Sequence, residues 1–314
     1  MNVPCLSENL VIVRAGRNSL HTGWVEGPDR PNFDLLITAY EQGVPRPDSP
    51  KVAAFDLPGW KVAGFAQVFA RMPEIFTKYK RIALFDDDLQ INTASINALF
   101  EIGKAYRLDL WQPSLTWDSY FSYACFLQNP AFTLRYVNFV EMMCPFFSTR
   151  HLQSVAPLFT IGQETGIDLV WARNFEVPWF RSAVIDRYAI RHTRPVGLLR
   201  QKQGFRASER YDDRMAEVLA RFGTTFHGPV SYAAIDTSGT RVLGRAGIAL
   251  RAARILRAFA KTPMRKAEFL ILAAAFIRHA ATRPLNMTQL NFGPLTDGLQ
   301  DPQQSASRIR MGGT

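Results

Sequence analysis

The stretch Arg81-Ile-Ala-Leu-Phe-Asp-Asp-Asp88 decides how this chain is read. Four apolar residues in a row, 82–85, make a run too short for a helix of its own, and they read as a buried strand. The strand ends in three adjacent carboxylates, which repel one another unless a cation or basic side chains neutralise them. In open α/β sheets, ligands lie beyond the carboxyl ends of the strands, so this placement puts the triplet at the mouth of a crevice. Hard oxygen donors there suit Mg²⁺ or Mn²⁺ bridging a diphosphate. A solvated acidic turn followed by a helix cap is the other reading that the triplet alone leaves open.

Working upstream, residues 10–13, 34–38 and 52–55 are short β-branched or leucine runs bounded by Gly, Pro, Asn and Asp, which predicts three more strands. Residues 64–78 place Phe65, Val68, Phe69, Met72, Ile75 and Phe76 at helical spacing, with Pro73 dividing the helix. Downstream of the triplet, Thr93 is the expected cap of a helix with Ile96, Leu99, Phe100 and Ile102 on its apolar side. Further strands are expected over 139–147, near Leu169 and over 183–186. Strands separated by helices of this length imply a sheet with helical crossovers, an α/β architecture.

The chain has 314 residues, 47% hydrophobic and 20% charged, a composition that supports a buried core. Its formal net charge of +10 is unevenly spread: residues 1–200 carry +1 and residues 201–314 carry +9. Residues 237–283 hold ten basic side chains against one acid, Glu268. The expected organisation is therefore a near-neutral domain over 1–200, a basic helical extension over 201–283 and a loosely ordered tail over 284–314. In the extension, a short helix is expected from Met215 to Arg221. A long helix follows, with Ile248, Ala252, Ile255 and Phe259 on one face and Arg251, Arg254, Arg257 and Lys261 on the other. A second helix over 266–281 is apolar almost all round. The charge sits on an amphipathic helix and not in a recognised reading motif, which argues against specific nucleic-acid binding. It favours an anionic membrane surface or a polyanionic acceptor, with two simply packed helices as the plain alternative.

Cys5, Cys125 and Cys144 include no CxxC and no Cys/His pairing at ligand spacing, so neither a disulfide framework nor a structural zinc site is expected. No basic start followed by an apolar stretch opens the chain, and the longest wholly apolar run, 269–277, is about half of a bilayer span. A cytoplasmic protein is expected, with peripheral attachment to a membrane through the basic stretch.

Several other residues carry chemistry. His192 lies in Ile190-Arg-His-Thr-Arg-Pro-Val-Gly197, where a neutral imidazole either completes a metal shell begun by Asp88 or serves the structure, and where Arg191 and Arg194 would sit near a phosphate. Asp168 and Glu141 are acids with apolar neighbours, either paired in the core or poised as a general base. Arg14-Ala-Gly-Arg-Asn-Ser-Leu-His21 follows the first strand and offers backbone and basic donors to a nucleotide, although it lacks the glycine spacing of a dinucleotide fingerprint or a P-loop. Trp24, Trp117, Trp171 and Trp179 are either sugar-stacking platforms or core. No GxSxG elbow, HExxH or Cys/His catalytic pair occurs.

Arg14-Ala-Gly-x-Asn-Ser-Leu-His21 with Trp24, the strand ending in Asp86-Asp87-Asp88, Gln112-Pro113, Phe139-Val-Glu-Met-Met-x-Pro-x-Phe147, Gly166-Ile-Asp168 and His192-Thr-Arg-Pro-Val-Gly197 occur in this order. Together they resemble domain-of-unknown-function family 707, an uncharacterised family of plants and bacteria whose plant members are described as lysine-ketoglutarate reductase trans-splicing related. The resemblance covers about residues 9–200 and stops before the basic region; Arg17 stands where family members commonly carry an acid. That family is similar to nucleotide-diphospho-sugar transferases of the GT-A fold. The resemblance implies a GT-A-like, Rossmann-type mixed sheet flanked by helices, and a metal-dependent glycosyltransferase that moves a sugar from a nucleotide-sugar donor to a hydroxyl of a glycan or lipid-linked acceptor. It further implies that Asp86 and Asp88 form a DxD pair, with Asp88 on Mn²⁺ or Mg²⁺, Asp86 reaching the metal and the donor's ribose or sugar, and His192 as third protein ligand. Arg14, Asn18, Ser19, His21, Asp87, Arg191 and Arg194 would contact the donor. Asp168 would deprotonate the acceptor or stabilise an oxocarbenium-like centre, and Glu141 would orient the acceptor or serve the structure. A carbohydrate- or nucleotide-binding protein with the same fold and no turnover is the alternative.

Overall fold

All seven residues of β1 (Asn9–Ala15) and of β2 (Phe33–Ala39) are buried, as expected of parallel strands covered on both faces. They pair in parallel with each other, and β3 (Val52–Asp56) extends the sheet beyond β2. The computed structural model describes residues 3–177, 179–195, 211–258 and 265–292. After β3 the chain forms α1 (Lys61–Arg71), breaks at Pro73 and resumes for one turn as α2 (Ile75–Lys78), the division expected from the proline. It then enters β4 (Arg81–Phe85), which pairs in parallel with the opposite edge of β1. The order β3-β2-β1-β4 makes β1 the point at which the chain reverses its progress across the sheet. Open sheets bind their ligands at such a switch point, outside the carboxyl ends of the strands.

A two-residue strand, β5 (Leu89–Gln90), leads from the acidic triplet to α3 (Thr93–Ala105). The cap of α3 is Asn92 and not Thr93: the Asn92 side chain accepts from Ser95 N at 2.9 Å, while the Thr93 hydroxyl donates to the Trp24 carbonyl. Beyond α3, β6 (Leu110–Leu115) and β7 (Phe132–Val137) enter the sheet. The strand expected over 139–147 shrinks to β8 (Phe146–Ser148), wedged antiparallel between β4 and β6. Its upstream part is a loop that keeps running beside β4, with Leu84 N bonded to Pro145 O and Asp86 N to Met143 O. After α4 (Thr149–Val155), the strand expected near Leu169 is instead one helical turn, α5 (Asp168–Trp171). The next strand, β9 (Ser182–His192), runs parallel to β6 and extends well past residues 183–186.

The basic half belongs to the same sheet. After α6 (Tyr211–Arg221), β10 (Ser231–Asp236) pairs with β7 and is itself flanked by β11 (Arg241–Leu243). The completed order, β11-β10-β7-β9-β6-β8-β4-β1-β2-β3, is a mixed sheet flanked by helices, the α/β architecture expected. The expected long helix divides into α7 (Arg245–Ala252) and a 3₁₀ stretch, Ala253–Ala258; Phe259 and Lys261 lie outside the described residues. The second expected helix is α8 (Lys266–Thr282), packed on α7. Part of the expected loose tail is packed: Phe292 is buried, and Leu290 N donates to Arg173 O at 2.8 Å. Residues 293–314 lie outside the described residues.

A fully buried ion pair locks the middle of the sheet. Arg135 on β7 donates to both Asp186 carboxylate oxygens on β9 at 2.7 and 2.9 Å, and also to the carbonyls of Cys125 and Leu127. Its guanidinium lies 4.9 Å from the Phe276 ring of α8. Multiple donors on one planar cation satisfy the buried carboxylate, which a lone charge in such a core would not tolerate.

Candidate active site

Three loops meet at the carboxyl ends of β1, β4 and β9. The acidic triplet leaves β4, residues 16–20 leave β1, and residues 193–195 leave β9. Asp87 is their tie. Its Oδ2 accepts from Gly16 N at 2.7 Å and from the Tyr40 hydroxyl at 3.1 Å, its Oδ1 accepts from Arg194 at 3.0 Å, and its carbonyl accepts from Leu20 N at 2.7 Å. Gly16 is required there, since a Cβ would collide with the Tyr40 ring. Arg194 also donates to the Asn18 carbonyl at 2.8 Å. Asp87 thus uses its charge to hold these three loops together.

Asp88 and His192 form the second pair. His192 Nδ1 lies 2.9 Å from the Tyr120 carbonyl, which places its proton on that nitrogen; Nε2 then faces Asp88 Oδ2 at 3.2 Å. Two acceptors at this distance need a proton or a cation between them. Burial works against a charged His192, but the hydrogen bond and charge of Asp88 outweigh it, so the imidazole pKa is raised. A metal-binding histidine is held in the same way, with its remote N–H on a carbonyl.

Asp86 makes a different contact. Its carboxylate pairs with Lys61 Nζ at 2.5 Å, and Lys61 also donates to the Met142 carbonyl at 2.8 Å. Burial and the neighbouring Asp88 raise the Asp86 pKa, while Lys61 holds it down. The expected set of three metal ligands is therefore not assembled: Asp88 and His192 meet, whereas Asp86 turns to Lys61. Among the described residues, no three His, Cys, Asp or Glu side chains gather closely enough to hold a metal ion.

The loop of Glu141, Met142 and Met143 joins these parts. Glu141 N donates to the buried Gln112 amide oxygen at 2.6 Å, Met142 N to Asp168 Oδ2 at 3.2 Å, and Met143 O accepts from Asp86 N at 2.9 Å. Burial pushes the Asp168 carboxyl up to about 6 and the Glu141 carboxyl up to about 7, with the charge of Asp168 adding to the latter. Both side chains are half-buried, and Glu141 Oε2 has no hydrogen-bond partner among the described residues. Two acids poised between their charged and neutral forms suit proton transfer near neutral pH.

Arg14 is buried: its Nη2 donates to the Gly59 carbonyl at 2.7 Å and its side chain lies on Gly64, with burial pushing its pKa down to about 10. His21 is buried with Nδ1 on Ser19 Oγ and Nε2 on the Pro45 carbonyl, so this pair shapes the loop from within. Arg191 pairs with Asp118 at 2.9 Å and not with the triplet, as alternation along a strand requires when His192 faces Asp88. Trp24 and Trp171 are core, their indole N–H groups bonded to the Leu89 and Val140 carbonyls; Trp117 packs on Phe269, and Trp179 is exposed. A surface depression beside the cluster is lined by Ser19, Leu20, Thr22, Leu89, Gln90 and Thr193.

Lys61, Tyr40 and Gln112 hold the site together, and the sequence reading assigned none of them a role. Lys61 had a signal: an acidic triplet at one crevice demands a counter-charge, and this lysine opens the helix that follows a parallel strand. Glu164 is another, accepting from Val62 N and Ala63 N at 2.7 and 2.9 Å and so capping the helix that carries Lys61.

No protein-family model matches the sequence, and no curated protein matches it. Among solved structures, the chain is similar to S. aureus TarS residues 1–349, at 9% identity and TM-score 0.39 over 87% of this chain and 71% of that one. It is also similar to the same TarS fragment in complex with UDP-GlcNAc, at 10% identity and TM-score 0.37 over 87% and 72% of the two chains. For that fragment in complex with UDP, the values are 8% identity and TM-score 0.39 over 88% and 72%. Identity and TM-score this low assign no residue role to this chain.

Proposed function

We propose that this chain is a glycosyltransferase that moves a sugar from a nucleotide-sugar donor to a hydroxyl acceptor, assisted by Mn²⁺ or Mg²⁺. The observation that carries the reading is the three-residue loop at Glu141, through which Asp86, Lys61 and Asp168 are bonded to one short segment at the switch point of the sheet. The order of motifs quoted above, and their resemblance to a family similar to nucleotide-sugar transferases, supports it.

In this reading the donor lies across the carboxyl ends of β1 and β4, with its diphosphate toward Arg194 and Lys61, the cations nearest the triplet. The acidic cluster fits a divalent cation in part, since Asp88 and His192 supply an oxygen and a nitrogen that face each other. Asp86 would join them only by exchanging its Lys61 contact. When bound, the metal would offset charge on the departing nucleoside diphosphate. Asp168 is the proposed base: a carboxyl pushed up to about 6 is ionised at pH 7 yet basic enough to take a hydroxyl proton as the sugar bond forms. Glu141 lies beside it to orient the acceptor.

A base must be deprotonated, so turnover should rise with pH through the pKa of the group that serves. An acid limb between about 6 and 7 is expected, and its disappearance in Asp168→Asn would assign it to Asp168. Asp168→Asn should lower turnover by about 10²- to 10⁴-fold while leaving donor affinity in place. Donor binding with no turnover in the unaltered protein would establish the alternative, a binding protein with this fold. Full turnover in Asp168→Asn would remove Asp168 from the chemistry.

A further inference from the structure

We propose that the outer face of α7 and α8 docks on an anionic lipid bilayer. On α8, Phe269, Ala273, Phe276 and Ala280 recur at helical spacing and turn inward, Phe269 onto Trp117 and Phe276 onto Arg135. The opposite face is also apolar: Ala267, Leu270, Ile271, Ala274 and Ala281 are all exposed, with Arg278 among them. Ile271 is 69% exposed, and on α7 Leu250 is 76% exposed. A helix on a water-facing surface carries polar residues there, so this face is built to be covered.

The charge identifies the cover. Residues 237–283 carry +9; Lys266 and Arg278 are exposed on α8 itself, Arg265 is exposed just before it, and Arg241 and Arg254 are exposed on the elements that flank α7. Exposed apolar side chains mixed with cations mark a helix that lies in the headgroup region, its apolar atoms at the acyl boundary and its cations on anionic lipid. A second copy of the chain would set +9 against +9. A nucleic acid would engage the cations and leave Leu250, Leu270 and Ile271 in water. No described helix is long and apolar enough to cross a membrane, so the contact is one of lying on the bilayer.

The inner face of the same helix reaches toward the candidate site. Phe269, in the first turn of α8, packs on Trp117 with ring centroids 4.6 Å apart, and the same loop supplies Ser119 Oγ and the Tyr120 carbonyl to His192. Resting on the transferase reading alone, a lipid-linked acceptor is then the class of substrate that would reach the site from this side.

The test is sedimentation of the full chain with vesicles of phosphatidylcholine alone and of phosphatidylcholine mixed with phosphatidylglycerol. Binding is expected only with phosphatidylglycerol, weakening as salt rises. Combining Leu270→Ser with Ile271→Ser should reduce it about tenfold or more, since both positions are exposed before docking and buried after it. Leu250→Ser provides the same comparison on α7 should the double variant melt early. Failure to sediment with phosphatidylglycerol overturns the proposal. So does sedimentation unchanged in these variants, which assigns the face to polyanions in general, or a wild-type dimer that they dissolve, which assigns it to a second copy. None of these outcomes depends on transfer activity, so they stand apart from the fate of the transferase reading.

Discussion

Lys61 is the residue on which the electrostatics of the cluster turn. It is the direct partner of Asp86, and its charge also lowers the pKa of both Asp168 and Glu141 against the effect of their burial. Lys61→Met should therefore raise the pKa of each acid and move the acid limb of the rate profile to higher pH, with a loss in turnover of about tenfold or more at pH 7. Lys61→Arg should return the limb toward its original position. A limb that stays in place in Lys61→Met would mean that this charge does not act on the base. At this scale the sequence was legible where residue type alone carries meaning. Three carboxylates after a strand and a histidine after another pointed to one place, and Asp88 and His192 meet there. The partners of Arg14, His21 and Asp86 were not legible, because each depends on a carbonyl or an amine brought in from a distant part of the chain.

Elements were legible where periodicity is strong and local. The parallel strands β1 to β4 and the broken helix between β3 and β4 follow from apolar runs and one proline. The residues from 139 to 147 did not, because a run of apolar residues is equally suited to a strand and to a buried loop; here Glu141 and its neighbours bond to side chains and to the end of β4 instead of forming a ladder. The same ambiguity hid β6, which is buried along its whole length and lacks alternation. Packing between α3 and β6 is close at Gly103, where a Cβ would run into the Trp111 ring. Trp111 is itself fixed, its indole N–H donating to the Leu99 carbonyl at 3.0 Å. Gly103→Ala should consequently cost about 1–3 kcal/mol in a denaturant titration, despite the higher helix propensity of alanine. An unchanged midpoint would show that α3 can shift away from the sheet at little cost.

For the whole molecule, the uneven charge marks a change of surface, and the fold continues through it. The sheet passes into the basic half, and Ala131 and Phe132 of the first half share a buried cluster with Val242, Ile248, Phe276 and Ala280 of the second. The boundary near residue 200 expected from composition does not coincide with an end of the sheet, since β10 pairs with β7. Arg135 and Asp186 lie at the centre of this joint, with both side chains fully buried. Arg135→Met alone should destabilise the protein by about 3–5 kcal/mol, and adding Asp186→Leu should recover most of that loss, because the cost lies in the unpaired charge. Two independent losses that simply add would contradict the pairing. The central claim concerns the crevice at the switch point, and calorimetric titration of the protein with a panel of nucleotide sugars, with and without Mn²⁺, tests it most directly. The account predicts one donor that binds in a metal-dependent manner, with binding lost in Asp88→Ala and His192→Ala while both variants remain folded. Absence of binding by every donor, with and without metal, would contradict it.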